Sequence, residues 1–283
     1  AHIAEQCTFF SSTKDFLQSA HFASLRNSMV LIKGARAFHF DAITEALEQK
    51  VHETILEVDL SAVVQNLNYY RSFLQPSTRI ICMVKADGYG SGAVEIAKTL
   101  QSQPQVGYLA VAVADEGALL RAGGITKSIM VMNPEMSSLN TLFEYNLEPE
   151  VYSFRILDAL SSSAERAGIT GMPIHIKLDT GMHRLGFYQT DMPALVERLQ
   201  TQKAVRVASV FSHLAGSDEA QFDAFTHEQA QYFEDCASHL IASLPYQPLL
   251  HICNTAGNQN IQRHAGIADR TQNTRAHVVD HVG

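Results

Sequence analysis

The chain has 283 residues, a formal net charge of −8 and 46% hydrophobic residues, enough for one large domain or two smaller ones with a sizeable core. An acidic balance without a basic stripe argues against nucleic acid as a main partner. The apolar runs are strand-sized and too short for a membrane span, and the first residues lack the basic, apolar and small-residue order of a secretory leader, so a cytoplasmic protein is the expectation. Cys7, Cys82, Cys236 and Cys253 lie far apart with no CxxC spacing and read as reduced thiols, two of them buried in strands. No HExxH pair or cysteine–histidine set at zinc spacing accompanies the thirteen histidines, and no metal site is expected.

In chain order, three pieces are visible. Residues 1–51 contain Met29-Val30-Leu31-Ile32-Lys33-Gly34, which reads as a short apolar strand, followed by Phe40, Ile43 and Leu47 at helical spacing with Asp41 near the helix start. This piece resembles the extreme C-terminus of a Mur ligase, with Ala35 where that family usually has serine. Residues 52–257 alternate strand and helix. Strands are expected at Ile80–Val84, Tyr108–Val113, Ser128–Met132, Glu148–Tyr152, Ile174–Leu178, Val205–Phe211 and Leu249–Ile252, and an earlier one at Thr54–Leu60. Helical patterns cover Ala62–Phe73, Phe154–Ala167, Met192–Leu199 and Gln221–Leu244. Strands separated by helices imply parallel βα units. Periodicity alone does not separate a TIM-like barrel from a doubly wound sheet.

The third piece, Asn258–Gly283, has three each of His, Arg, Gln and Asn and no Leu, Phe, Tyr or Met. It reads as an aberrant polar tail, the product of a frame change or an artefactual end, without regular structure.

The chemistry concentrates in Met83-Val84-Lys85-Ala86-Asp87-Gly88-Tyr89-Gly90. An apolar strand delivers a lysine to its C-terminal end, and a glycine-rich turn leads into a helix. A lysine so placed can form a Schiff base with an aldehyde cofactor, and the helix N-terminus suits the cofactor's phosphate. This segment resembles the pyridoxal phosphate (PLP) segment of bacterial alanine racemases, as does Lys177-Leu178-Asp179-Thr180-Gly181-Met182-His183-Arg184-Leu185-Gly186. Asp87-Gly88 replaces the commoner Asn-Ala, and Ser91 a common histidine.

The resemblance selects an α/β fold with a TIM-like barrel of about seven of its eight strands, preceded by the ligase-like remnant, with the Thr54–Leu60 strand outside the barrel. It implies that Lys85 carries PLP and acts as one catalytic base, and that Tyr89 donates to the phosphate. Arg184 meets the cofactor's phenolic oxygen and the substrate carboxylate, for which a planar guanidinium is suited. Lys177, often carbamylated in the family, holds that arginine. His213, in Phe211-Ser212-His213-Leu214-Ala215-Gly216-Ser217-Asp218-Glu219, packs on the pyridine ring. Asn254 and Thr255, in His251-Ile252-Cys253-Asn254-Thr255-Ala256-Gly257, lie beside the cofactor and on its phosphate, Thr255 replacing a serine.

Racemisation needs a base on both faces of the α-carbon. The family's second base is a tyrosine of the other subunit's C-terminal β-domain, so a homodimer is implied. The chain reads as a fragment without that domain, expected to be inactive alone. The competing reading is a non-catalytic, single-domain PLP-binding barrel serving cofactor homeostasis.

Overall fold

The structure, a computed structural model, describes residues 7–34, 38–48, 55–259 and 276–279. It divides into two compact units, Ala1–Leu56 and Glu57–Gly283.

The first unit has three short helices: α1 (Thr13–Leu17), α2 (Ala20–Ser24) and α3 (Asp41–Leu47). The hydroxyls of Ser12 and Ser19 cap the first two by accepting from Asp15 N and Phe22 N. The Phe16 ring meets Phe10 and Phe22 edge-on. The expected helix forms as α3, with Ile43 buried. The expected strand at Met29–Gly34 does not: these residues have no regular structure, and Met29 and Leu31 are exposed. Among the described residues no strand lies beside this run to pair with it, and an exposed segment can leave its backbone groups to water. Ala35 lies outside the described residues.

The second unit opens with α4 (Leu60–Arg71), capped by Asp59, whose Oδ1 accepts from Ser61 N at 2.8 Å. The expected strand at Thr54–Leu60 is absent over residues 55–59, and Leu60 is already helical; Thr54 lies outside the described residues. A parallel series follows: β1 (Arg79–Met83), α5 (Lys85–Tyr89), α6 (Ala93–Gln101), β2 (Val106–Val111), α7 (Ala114–Ala122), β3 (Ile129–Val131), α8 (Leu139–Glu144), β4 (Glu148–Val151), α9 (Phe154–Arg166), β5 (Met172–Lys177), α10 (Met192–Thr201), β6 (Val205–Phe211), α11 (Asp223–Ala242), β7 (Leu249–His251), α12 (Thr255–Gln259) and β8 (Ala276–Val279). The strand order is β7-β6-β5-β4-β3-β2-β1-β8, every pair parallel. The end strands β7 and β8 approach each other, so the sheet curls into a barrel.

The seven strands expected in residues 52–257 all form as β1–β7. One expectation is corrected here: an eighth strand comes from the segment read as a structureless tail, where β8 pairs with β1, Arg79 opposite Ala276 and Cys82 opposite Val279. His-Val-Val is β-prone locally, and the free edge of β1 supplies the ladder that the tail's composition concealed.

Alternation sorts the strand residues between two faces. Outward, Ile80, Leu109, Val111, Ile129, Ile174, Ile176 and Val207 pack against helix residues such as Leu67, Leu100, Leu157 and Leu240 in one continuous cluster. Inward, β1–β3 contribute a small apolar cluster of Ile81, Met83, Ala110 and Met130. The inward positions of β4–β7 hold Glu148, Glu150, His175, Lys177, Ser209, Phe211 and His251, all buried. The parallel strands bring every strand C-terminus to one rim, where the chemistry-bearing loops lie.

Candidate active site

At the end of β1, five consecutive residues take positive φ: Ala86 at 52°, Asp87 at 53°, Gly88 at 62°, Tyr89 at 58° and Gly90 at 85°. Element α5 is therefore one left-handed turn, a conformation that costs an L-residue roughly 1–2 kcal/mol. Hydrogen bonds hold it there. Glu116 Oε1 accepts from Ala86 N at 2.7 Å, and its Oε2 accepts from Ala112 N at 2.7 Å. Asp87 Oδ1 accepts from Ala93 N at 2.9 Å and so caps α6. Gly88 suits this turn: a Cβ there would crowd Ile96 Cδ1 at 3.1 Å and the Ala93 Cα at 3.2 Å, at a φ that L-residues rarely adopt. The turn leaves Lys85 half-buried, with Nζ 6.0 Å from the Tyr89 ring centroid. Tyr89 thus ends the turn and does not open the next helix, which starts at Ala93.

The β5 rim is built by a loop that folds back on its own strand. Phe187 N donates to Lys177 O at 2.9 Å and Asp179 N to Phe187 O at 3.0 Å. Asp179 Oδ1 accepts from Gly181 N and His183 N, both at 3.0 Å. Gly186, at φ 140°, lies so close that an added Cβ would strike Asp179 N. This loop carries Arg184, which is exposed. Lys177 points inward, Nζ 3.0 Å from Glu150 Oε1 and 5.4 Å from the Phe211 ring centroid. Burial pushes the Glu150 carboxyl up to about 7, against the opposing pull of Lys177 and, more weakly, Arg184.

At the β6 and β7 ends, His213 is half-buried and its carbonyl accepts from Gln229 Nε2 at 3.3 Å. Asn254 ties the two loops together. Its Oδ1 accepts from Ser217 Oγ and Gly257 N, both at 2.8 Å, and its Nδ2 donates to Leu214 O at 3.2 Å. Thr255, half-buried, opens α12. Asn254 is therefore a loop tie rather than a free donor, and it fixes where Thr255 stands.

Below the rim runs a buried polar chain. Glu148 Oε2 lies 3.2 Å from His175 Nε2, His175 Nδ1 2.7 Å from Ser209 Oγ, and Ser209 Oγ 3.2 Å from His251 Nε2. Burial pushes the Glu148 carboxyl up, but the hydrogen bond and charge of His175, with help from Ser128 and Arg121, outweigh it and hold the group below its usual range. His251 in turn stacks on Phe211 with centroids 4.7 Å apart. Cys82 and Cys253 are buried with their thiols pushed up to about 12, and Cys236, in α11, to about 11, so none is a ready nucleophile. Of the four cysteines only Cys82 lies within a strand, and Cys7 is exposed.

The sequence patterns missed Glu116, Glu148 and Glu150. Glu148 and Glu150 were visible as a two-residue polar repeat inside a strand. Glu116 carried only the local signal of a helix-start carboxylate.

These features define a class: a parallel α/β barrel that presents a lysine amine from the end of its first strand, with an arginine and a histidine in loops at the same rim. The chain belongs to the family described as alanine racemase, N-terminal domain, which it matches over residues 58–270. Seven of the eight strands fall inside that span; β8 lies beyond it. An alanine racemase of Synechocystis sp. is 34% identical over 205 residues, 71% of this chain and 54% of the relative. One of Desulfovibrio desulfuricans is 35% identical over 203 residues, 71% and 53% respectively. Among solved structures, the alanine racemase of Clostridium difficile 630 superposes with a TM-score of 0.71 at 26% identity, covering 81% of this chain and 59% of that one. That of E. faecalis gives 0.61 at 28% identity, with 71% and 53% covered. The chain spans about half the length of the curated relatives it matches.

Proposed function

We propose that the barrel binds PLP on Lys85 and is the cofactor-holding part of an enzyme that interconverts L-alanine and D-alanine. The observation that carries this is Lys85 itself, held half-buried at the barrel rim by a left-handed turn in a chain of the alanine racemase family. The donor set fits the group: an amine for the aldehyde, hydroxyls from Tyr89 and Thr255 for the phosphate, and the flat His213 imidazole for the ring. PLP, when bound, supplies the electron sink that makes the alanine Cα proton acidic. The Lys85 amine then takes and returns that proton on one face. The Arg184 guanidinium fixes the substrate carboxylate with two parallel N–H donors, and Lys177, as the family resemblance implies, would hold that arginine in position. Asn254 places Thr255 by tying the β6 and β7 loops. The opposite-face base comes from the partner subunit of a homodimer, as the family resemblance implies.

The rival reading, a non-catalytic PLP-binding barrel, is not favoured, since the relatives and solved structures reported above are all racemases. Residues 1–51 belong to a Mur-ligase-like region fused ahead of the barrel, which would join production of D-alanine to its use in the cell wall; the support is the apolar Met29–Gly34 run followed by α3.

The test is covalent capture. Adding PLP to the purified chain should give a visible absorption band, and borohydride should fix the cofactor mass on the peptide containing Lys85. Lys85→Ala should give neither. No band and no added mass on Lys85 would overturn the proposal.

A further inference from the structure

Glu150 and Lys177 are inward-facing neighbours on β4 and β5, whose ladder sets Glu150 beside His175 and Val151 beside Ile176. Their side chains are 0% and 6% exposed, and their charged atoms lie 3.0 Å apart. Among the described residues Glu150 Oε2 finds no hydrogen-bond donor, and Oε1 meets the Lys177 amine as an ion pair. Removing a carboxylate from water this completely costs several kcal/mol unless an opposite charge compensates it. Lys177 is the group in contact, and Arg184 acts on the same carboxyl from farther off. The reverse also holds: without Glu150, Lys177 would be a buried cation between strands, with the Phe211 ring beside it. Burial would then drive it to the neutral amine.

The two states of that amine differ in chemistry. A neutral lysine nitrogen has a lone pair that bonds to the carbon of CO2; a proton leaves to water, and an N-linked carbamate remains. An ammonium has no lone pair and does not react.

We propose that Glu150 keeps Lys177 as an ammonium, so that Lys177 is not carbamylated and the Glu150 carboxylate is itself the negative charge that faces Arg184 at this rim. Glu150 is thus a positioning residue. Its action on Arg184 rests on the function proposed above; the state of Lys177 does not.

The experiment is 13C NMR of the full chain, without cofactor, equilibrated with 13C-bicarbonate at about pH 8, where an acid titrating near 7 is ionised. The wild-type chain should show no lysine-carbamate resonance. Glu150→Gln, which removes the charge and keeps the shape, should gain one. That resonance should vanish in the Glu150→Gln, Lys177→Arg double variant, and Glu150→Asp, which restores the charge, should lose it too. A carbamate resonance in the wild type that Lys177→Arg removes would overturn the proposal, as would a folded Glu150→Gln chain that gains none. Should Glu150→Gln fail to fold, the wild-type and Lys177→Arg spectra decide alone. Failure here leaves borohydride trapping at Lys85 untouched, so it is separate from failure of the PLP reading.

Discussion

Glu116 shows how a residue thirty-one positions away shapes Lys85. Its carboxylate accepts backbone N–H groups from both the β1 and β2 loops, at Ala86 and Ala112, each at 2.7 Å. Removing the acceptor leaves those donors without their partner, which costs about 1–3 kcal/mol where they are poorly solvated. The strained turn then has less to hold it. Glu116→Ala is expected to lower stability by roughly that amount and to slow PLP capture at Lys85 by about tenfold, if one such bond of about 1.4 kcal/mol sets the amine's position. Thermal unfolding and the rate at which the absorption band grows check both. Unchanged capture alongside reduced stability would leave Glu116 with a structural role only. Lys85 was legible because a charged residue at the end of an apolar strand stands out. Glu116 was not, because the same glutamate satisfies its own helix start and its second partner is remote in sequence.

At the scale of elements, the β5 loop makes the same point with backbone alone. It returns to its strand through Asp179 and Phe187, and Gly186 passes so near Asp179 N that no side chain fits. Gly186→Ala would force that backbone apart, at roughly 1–3 kcal/mol for overpacking and with the loop carrying Arg184 displaced. The expected outcome is a chain that still forms its PLP band through Lys85 but unfolds at lower temperature; an unchanged unfolding midpoint would show that the loop yields freely. The seven strands from β1 to β7 were all readable as short runs bounded by turn residues, most of them apolar and β4 marked instead by its alternating Glu148 and Glu150. The failures share one cause. The Met29–Gly34 run looked like a strand but has no ladder, while β8 did not look like one and gains its ladder from β1. Strand formation is decided by the neighbour, which one segment's composition does not show.

At the scale of the whole barrel, the interior is lopsided: apolar over β1–β3, titratable over β4–β7. The two glutamates of β4 pull the stability profile in opposite directions. Glu148 is held below its ordinary value, so it contributes stability above the unfolded-state titration, and that contribution is lost as pH falls through its folded-state titration. Glu150 is raised from 4.5 to about 7, so the folded chain keeps its proton longer than the unfolded one. Its contribution is complete below about pH 4.5 and disappears as pH climbs to about 7, a fall of roughly 3 kcal/mol at 1.36 kcal/mol per unit. Lys177 and Arg184 oppose the shift, and Tyr152 feels the resulting charge. In Glu150→Gln this falling limb should be gone. The profile between pH 4.5 and 7 should lose the part of its slope that Glu150 supplies. Urea unfolding of both chains across that interval measures the difference directly. If the variant falls as steeply as the wild type, the slope belongs to another group, and Glu150 is ionised throughout the range.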